Sequence, residues 1–198
     1  YKSTEEIDEK LRQKIKQEEV YRTKYDDGYL SINTRLLNKE CLKELKDKIQ
    51  SQIEHYVHSV LNVETGVEFY ITNSWITVHE KGDYAAQHNH VNSLFSGTYY
   101  IDAPDDDESA LYFHTKNKNT IFPTSVSPTI NEWNIFNSGS YYFKPKTGDL
   151  FIFPSHLEHS VDRSTSESKR YCLAFNVFVK GTLRDHEMEF PINELKLT

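Results

Sequence analysis

The first third of the chain has hydrophobic residues at the spacing of amphipathic helices. Three aliphatic side chains recur at every fourth position among charged and polar residues: Ile7, Leu11 and Ile15. Ser3 and Glu6 have the spacing of a capping box, so the pattern predicts a short helix here. A longer apolar stripe predicts a second helix from about Lys39 to Leu61, with Asn38 as its N-cap. Residues 28–32 are predicted to form a short strand after a turn at 26–28.

From Val67 onward the hydrophobic pattern changes to a period of two. Segments rich in aromatic and β-branched residues, separated by turn residues, are the predicted strands: 69–72, 74–78, 97–101, 110–113, 141–143, 150–153 and 171–179. About seven to nine short strands after a helical start favour a mainly β fold. We therefore predict a sandwich or barrel with helices packed on one of its sheets.

The chain is predicted to be one domain over residues 1–198. Residues 1–66 would be a helical N-terminal support, residues 67–180 the β core and residues 181–198 a C-terminal tail. The stretch 116–140 is long and lacks a regular pattern, which predicts either a substrate lid, with Trp133 and Phe136, or a mobile insertion. We favour the lid. The acidic run 105–108 is predicted to be a solvated hairpin tip.

Composition and charge restrict the classes of partner. The chain has 23 Lys and Arg against 30 Asp and Glu, a net charge of −7, and lacks the basic cluster expected of a nucleic-acid surface. No apolar run reaches the roughly 18 residues of a membrane span, so no membrane partner is expected. Cys41 and Cys172 lack CxxC spacing and indicate reduced, buried thiols in a cytosolic protein. The first residue is not Met, so we expect further residues before Tyr1 in the gene product.

Nine histidines are the feature that this composition leaves unexplained. His88 and His90 are two residues apart, and in an extended segment they project from the same face, where two imidazoles can share a metal. His156 and His159 follow the apolar strand predicted at 150–153 and so lie at a strand end. A sandwich can bring the two groups together, which makes a metal site the leading hypothesis.

Arg170 begins a predicted strand whose other residues are almost all apolar. By alternation it shares a face with Ala174 and Asn176, which suggests a cavity with a guanidinium at its mouth or floor, suited to a carboxylate. A surface arginine paired with an acid is the alternative. In the strand at 97–101, Tyr99 and Tyr100 point to opposite faces, so one of the two can line the interior.

The segments around these residues resemble, in order and spacing, the iron(II)- and 2-oxoglutarate-dependent oxygenases. The matching segments follow Trp75 and are 81–84, 88–90, 96–100, 145–155, 157–161 and 170–176. More narrowly, the chain resembles a subgroup of oxygenases of bacteria and tailed phages that is related to the prolyl 4-hydroxylases. The resemblance extends over roughly residues 74–179, more than half of the chain.

The resemblance implies a fold and a first set of roles. The implied fold is a double-stranded β-helix, a jelly roll related to the cupins, in agreement with the strand pattern. The resemblance also implies that His88 is the first iron ligand and His159 the distal one. Arg170 would bind the outer carboxylate of 2-oxoglutarate.

The same resemblance implies residues around the co-substrate. Tyr100 or Tyr99, together with Asn176, would support 2-oxoglutarate, and His156 would be a neighbour of the site. His79 is a further candidate neighbour. With the ligands and Arg170, these residues complete the implied active site.

His90 stands where the family usually has a carboxylate. The usual facial triad is two histidines and one acid. We expect His90 to be the third metal ligand, which would make an all-histidine site with one negative charge fewer. Two alternatives stay open: a degenerate site that binds metal weakly, or an acid supplied by Glu80, Asp83 or Asp102.

The activity implied by the resemblance is that of a dioxygenase. It would couple decarboxylation of 2-oxoglutarate to succinate with hydroxylation of a C–H bond, for example in a peptidyl proline. Iron(II), 2-oxoglutarate and dioxygen are implied, with ascorbate as an optional accessory. The substrate (protein, peptide or small molecule) and the oligomeric state stay open.

Two rival functions and a location complete the expectations. One rival is a cupin-like metal enzyme that uses no keto acid, and the other is a noncatalytic jelly-roll binding module. Arg170 is the residue that distinguishes the enzymes, because only a keto-acid enzyme needs it for a carboxylate. The expected location is the cytoplasm, or the host cytoplasm for a phage-encoded protein.

Overall fold

The computed structural model describes residues 1–24, 28–114, 129–134, 137–185 and 188–192. Two α-helices lie in the first third, α1 at Glu9–Lys16 and α2 at Lys43–Glu54. Two 3₁₀ turns, Leu36–Asn38 and Glu40–Leu42, precede α2, and a π-helical turn, His55–Val60, continues it. No helix in this described part of the chain is both long enough and apolar enough to cross a bilayer.

The described residues also form twelve strands. Their bounds are β1 Lys2–Thr4, β2 Val20–Arg22, β3 Tyr29–Ser31, β4 Val67–His79, β5 Ala85–His88, β6 Phe95–Asp102, β7 Leu111–His114, β8 Ser140–Phe143, β9 Asp149–Pro154, β10 Glu158–Val161, β11 Arg170–Asp185 and β12 Met188–Ile192.

The strands make two sheets with antiparallel pairing between neighbours. The large sheet has the order β1-β9-β6-β11-β4-β3-β2, and β12 pairs with the far end of β11. The small sheet has the order β5-β10-β7-β8. These sheets form a double-stranded β-helix, so the predicted mainly β jelly roll with N-terminal helices is confirmed.

Two hydrophobic cores lie on the two faces of the large sheet. On the outer face, α2 buries Leu45, Ile49 and Ile53 against strand residues that include Leu173 and Phe175. On the inner face, a smaller aromatic core joins the two sheets through Tyr100, Phe113, Phe143, Phe151 and Phe153. The helices therefore stiffen the sheet from behind and leave its inner face for the site.

The predicted helix starts are wrong in detail. Residues Lys2–Thr4 pair with β9 as a strand, and α1 is instead capped by Asp8, whose Oδ1 accepts from the Leu11 N–H at 3.1 Å. Asn38 does not cap α2 either, because Lys39 is extended and interrupts the chain between two 3₁₀ turns. At the first place, pairing with β9 overrides the local capping signal. At the second, the Asn38 side chain instead accepts a hydrogen bond from Lys46 Nζ at 2.9 Å.

The strand pattern holds in the centre of the chain and fails at two polar segments. The predicted strands at 69–72 and 74–78 merge into the single strand β4, and β6, β7, β8, β9 and β11 lie where expected. The short strands β5 and β10 are additional. The expected C-terminal tail extends β11 to Asp185 and returns as β12. Asp26 and Asp27, predicted in a turn, lie outside the described residues. Of the two thiols predicted to be buried, Cys172 is buried but Cys41 is exposed.

Candidate metal centre

Three histidines meet at the edge of the small sheet. His88 ends β5 and lies directly opposite His159 of β10, while His90 follows two residues beyond the strand. One nitrogen from each ring lies within 4.8 Å of the other two, and the Nε2 atoms of His90 and His159 are 3.3 Å apart. His88 is exposed, His90 half-buried and His159 buried, so the cluster runs inward from the surface.

Backbone carbonyls orient two of the three rings. Nδ1 of His88 is 2.7 Å from the Ala86 carbonyl oxygen, and Nδ1 of His159 is 3.1 Å from that of Leu157. A carbonyl can only accept, so Nδ1 carries the proton and donates, which leaves the Nε2 lone pair available to a metal. His90 is held differently, by a hydrogen bond with the Asn176 side chain and by the Ser155 carbonyl that accepts from its main-chain N–H.

The surroundings keep the two inner rings uncharged. Burial, with a smaller effect of His88, lowers the pKa of His90 to about 4 and the pKa of His159 to about 3. Both rings are therefore neutral near pH 7. A neutral imidazole is the form that binds a metal ion, so no proton has to be removed from these rings first.

The cluster has the geometry and the chemistry of a metal site. Two nitrogens that are each about 2.1 Å from one metal and at a right angle to each other lie about 3.0 Å apart. The 3.3 Å between His90 and His159 is close to that value. Imidazole nitrogens suit iron, zinc, nickel and copper. The three side chains therefore fit a bound iron(II) ion, with His90 beside the other two.

The three acids considered as substitutes for His90 are occupied elsewhere. Asp83 makes two hydrogen bonds to Arg22, Asp102 pairs with Lys16 at 2.6 Å, and Glu80 pairs with Lys169 at 2.7 Å. Within the described part of the chain, the ligand group contains histidines alone. The structure thus brings His90, and none of these acids, to His88 and His159.

A cavity of about 340 Å³ extends from the histidines into the space between the sheets. Most of its wall is apolar and comes from both sheets, including Trp75, Leu111, Phe153, Val161 and Ala174. Such a wall excludes water and strengthens polar interactions inside the cavity.

Arg170 also lines this cavity, on the inner face of β11 as the alternation predicts. Its side chain is 3% exposed. Nη1 donates to the Ser109 hydroxyl and, at 3.3 Å, to Asp107, while Nη2 is 2.6 Å from Nδ1 of His79. The predicted guanidinium is therefore present in the cavity, and three side chains hold it.

Asp107 corrects the interpretation of the acidic run 105–108. Its carboxylate is 3% exposed and accepts from the main-chain N–H groups of Ser109 and Thr165 as well as from Arg170. Burial alone would raise the pKa of Asp107, but these hydrogen bonds and the guanidinium lower it, so the group stays ionised. Asp107 is thus a buried anchor, although the residues beside it, Asp106 and Glu108, are exposed.

Of the two candidate tyrosines, Tyr100 lines the cavity. It is 2% exposed, and burial raises the pKa of its phenol above the ordinary value. Tyr99 faces the helix-covered core instead, and its hydroxyl donates to the Glu5 carbonyl at 2.7 Å. Asn176 lies behind the histidines, where its side chain accepts from Ser96 at 2.8 Å and contacts His90.

The predictions for His156 and for the lid at 116–140 concern the surroundings of the site. His156 is exposed and does not line the cavity, whereas His79 is buried and does line it. Most of the predicted lid at 116–140, including Phe136, lies outside the described residues. Trp133 is described and is 66% exposed.

Sequence reasoning did not pair Arg170 with any of its partners. His79 was expected only as a candidate neighbour of the site, although a period of two places it on the same face of β4 as Trp75 and Thr77. Asp107 and Ser109 gave no comparable signal, because they lie about 60 residues from Arg170 in a polar loop, and only the fold brings them to it.

The fold and the site together define a class, a double-stranded β-helix protein with a histidine cluster suited to a metal between its sheets. A family model described as "Putative 2OG-Fe(II) oxygenase" matches residues 73–176, and the chain belongs to this family. The matched segment contains all three histidine-cluster residues, Arg170 and both tyrosines. No curated protein matches the sequence.

Several solved structures share the fold. An oxidoreductase of the 2OG-Fe(II) oxygenase family from Burkholderia pseudomallei is 12% identical with a TM-score of 0.60, covering 85% of this chain and 75% of its own. A Pseudomonas putida prolyl-4-hydroxylase is 12% identical with a TM-score of 0.57, covering 89% and 91%. HygX from Streptomyces hygroscopicus, solved with nickel and 2-oxoglutarate, is 11% identical with a TM-score of 0.55, covering 85% and 76%.

Proposed function

We propose that the protein is an iron(II)- and 2-oxoglutarate-dependent dioxygenase that hydroxylates a C–H bond. One observation carries the proposal: a single cavity has a three-histidine cluster at its mouth and a buried arginine on its wall. The first feature suits a metal and the second suits a carboxylate, and a 2-oxoglutarate oxygenase needs both in one cavity.

In this proposal His88, His90 and His159 hold iron(II), and Arg170 binds the outer carboxylate of 2-oxoglutarate. When bound, iron(II) and 2-oxoglutarate supply the oxidative chemistry, in which the keto acid is decarboxylated to succinate and the substrate is hydroxylated by dioxygen. Ascorbate would serve only to keep the iron reduced. The side chains themselves position the two ligands and exclude water.

Tyr100 supports the co-substrate from the cavity wall, whereas Asn176 acts indirectly, through its contact with His90. The buried phenol of Tyr100 keeps its proton and can donate a hydrogen bond into the cavity. Asn176 contacts His90 and Ser96, so we assign it the orientation of the third ring rather than a direct contact with 2-oxoglutarate.

The charges in the cavity favour a neutral third ligand. The two positive charges of iron(II) equal the two negative charges of the 2-oxoglutarate dianion, and the charge of Arg170 is balanced by Asp107 at 3.3 Å. Unbalanced charge is costly in a dry interior. With Asp107 already paired to the guanidinium, a histidine at position 90 leaves the loaded site balanced, whereas an acid there would add one negative charge.

As the substrate we propose a C–H bond of a prolyl residue in a peptide, in the cytoplasm of the cell or of a phage host. Similarity to the Pseudomonas putida prolyl-4-hydroxylase supports this choice. The mouth of the cavity also supports it, since His88 and the edge strand β5 are exposed and accessible to an extended chain. A hydroxylation assay on a library of proline-containing peptides tests the substrate separately from the cofactors.

Replacing Arg170 with alanine tests whether the cavity takes a keto acid. The variant removes the group that would pair with the outer carboxylate, and charged hydrogen bonds of this kind contribute about 1.5 to 3 kcal/mol. Calorimetric affinity of the nickel-loaded protein for 2-oxoglutarate should therefore fall at least about tenfold. Arg163→Ala is the matched control, because this exposed arginine lies against Tyr84 outside the cavity.

Two outcomes would contradict the proposal. Wild-type affinity in the Arg170→Ala variant would favour a cupin-like metal enzyme that uses no keto acid. Absence of any 2-oxoglutarate binding by the wild-type protein, with or without metal, would favour a noncatalytic jelly-roll module.

A further inference from the structure

The guanidinium of Arg170 is held from two sides before any ligand binds. Nη1 donates to Asp107 and Ser109, and Nη2 contacts His79, which lies directly opposite Arg170 in the register of β4 and β11. An arginine has five N–H donors, and these three contacts use three of them. The two that are left are the number that a bidentate carboxylate takes.

The contact with His79 fixes the protonation of its ring. A guanidinium has no acceptor and does not lose its proton in proteins, so it must donate to His79 across the 2.6 Å between Nη2 and Nδ1. Nδ1 of His79 is therefore the unprotonated nitrogen. A protonated His79 would lose this hydrogen bond and place a second positive charge beside Arg170.

The N-terminal hairpin of β2 and β3 holds the His79 ring in place. A Cβ atom on Gly28 would lie 2.6 Å from Cδ2 of His79, so the backbone of Gly28 packs directly against the ring edge. Gly28 has a φ of +100°, which suits glycine and lets the chain approach this closely. Thr23 and Leu30 of the same hairpin line the cavity beside His79.

We propose that His79 is a positioning residue for 2-oxoglutarate, which it serves by accepting a hydrogen bond from Arg170. With Asp107 on the other side, it fixes the plane of the guanidinium so that the two remaining N–H groups face the outer carboxylate. This inference rests on the proposed function. It adds that the carboxylate end of the cavity depends on a histidine acceptor as well as on the arginine.

Two variants separate the acceptor from the packing of the ring. His79→Phe keeps an aromatic ring against Gly28 but has no acceptor, whereas His79→Asn is smaller but can place an amide oxygen near the position of Nδ1. We expect His79→Phe to weaken 2-oxoglutarate binding to the nickel-loaded protein about tenfold, the loss of one charge-assisted hydrogen bond. His79→Asn should stay within about threefold of the wild type.

A second keto acid shows where the effect arises. 2-Oxobutyrate has the same keto-acid head but no outer carboxylate, so calorimetry should give it equal affinities for the wild type and His79→Phe. His156→Phe, at the exposed histidine outside the cavity, should match the wild type with both ligands.

Three results would overturn the inference while leaving the proposed function standing. These are an unchanged 2-oxoglutarate affinity in His79→Phe, an equal loss in His79→Asn, and an equal loss for both keto acids. No 2-oxoglutarate binding by the wild type would instead overturn the proposed function and the inference with it.

Nitrogen-15 NMR of the wild-type protein tests the same inference and does not depend on whether the His79 variants fold. The His79 resonances should identify Nδ1 as the unprotonated nitrogen and should shift when 2-oxoglutarate is added to the nickel-free protein at saturating concentration. A protonated Nδ1, or resonances that do not respond to the bound keto acid, would overturn it.

Discussion

At the scale of single residues, the site depends on groups whose partners fix their protonation. Main-chain carbonyls set the tautomers of His88 and His159, and Arg170 sets that of His79. Each ring thereby presents its lone pair in one direction, toward the metal position or toward the guanidinium. These groups are therefore oriented before any ligand is present, and for the proposed function such an arrangement would lower the cost of binding.

The metal-free protein should lose stability as the pH falls below about 6.5, the ordinary pKa of histidine. Burial lowers the folded-state pKa of His90 to about 4 and that of His159 to about 3, so over this range the unfolded chain binds more protons. The free energy of unfolding then decreases with decreasing pH, down to about pH 3. Urea denaturation of the metal-free protein at a series of pH values measures this slope.

Variants at the histidines isolate this contribution from that of the acidic residues. His159→Gln should have a shallower slope than the wild type between about pH 6.5 and 4, because it removes one of the groups with a lowered pKa. His156→Gln, at an exposed position, should keep the wild-type slope. Equal slopes in all three proteins would contradict the assigned burial of His159.

The sequence predicted the metal-site residues better than their supports. The HxH spacing and the two histidines after an apolar strand predicted which groups meet, and the resemblance to the oxygenase family selected His159 over His156. The contact of Arg170 with Asp107 was not predictable, because it spans 63 residues and involves a polar loop. Such contacts depend on strand register and loop path, for which one sequence has no local signal.

At the scale of elements, the two strands that carry His88 and His159, β5 and β10, are among those that the hydrophobic pattern missed. β5 and β10 have four residues each and contain no large apolar side chain apart from Val161, so neither alternates clearly. They exist because β10 pairs on one side with β5 and on the other with β7. Pairing with neighbouring strands, and not hydrophobic alternation, therefore makes these segments strands, and the sequence pattern does not reveal such pairing.

The cap of α1 is testable at this scale. Asp8 accepts a hydrogen bond from the Leu11 N–H at 3.1 Å, so Asp8→Ala should reduce the free energy of unfolding by about 0.5 to 2 kcal/mol. Ser3→Ala is the matched control for the capping box expected from the sequence. The Ser3 hydroxyl is buried and without a partner in the described part of the chain, so its removal should be neutral or stabilising.

Chemical denaturation of the two variants gives the answer directly. A larger loss of stability in Ser3→Ala than in Asp8→Ala would contradict the observed cap and would restore the capping box between Ser3 and Glu6.

At the scale of the whole molecule, the two faces of the large sheet have different roles: one packs against the helices and the other lines the site. α2 and the turns around it fill the outer face with aliphatic side chains, and the inner face carries the aromatic core and the cavity. β11 is central to both, because alternate residues face the helices and the site. Its alternation in the sequence was enough to predict this arrangement, whereas the pairing of β1 with β9 was not visible in a three-residue segment.

The measurement that tests the central claim most directly is an absorption spectrum. Iron(II) and 2-oxoglutarate are added without oxygen to the wild type, to His159→Ala and to His156→Ala. We expect a visible metal-to-ligand charge-transfer band in the wild type and in His156→Ala, and no band in His159→Ala, where the buried ring of the cluster is lost. No band in the wild type, or a band that is lost with His156 and kept without His159, would contradict it.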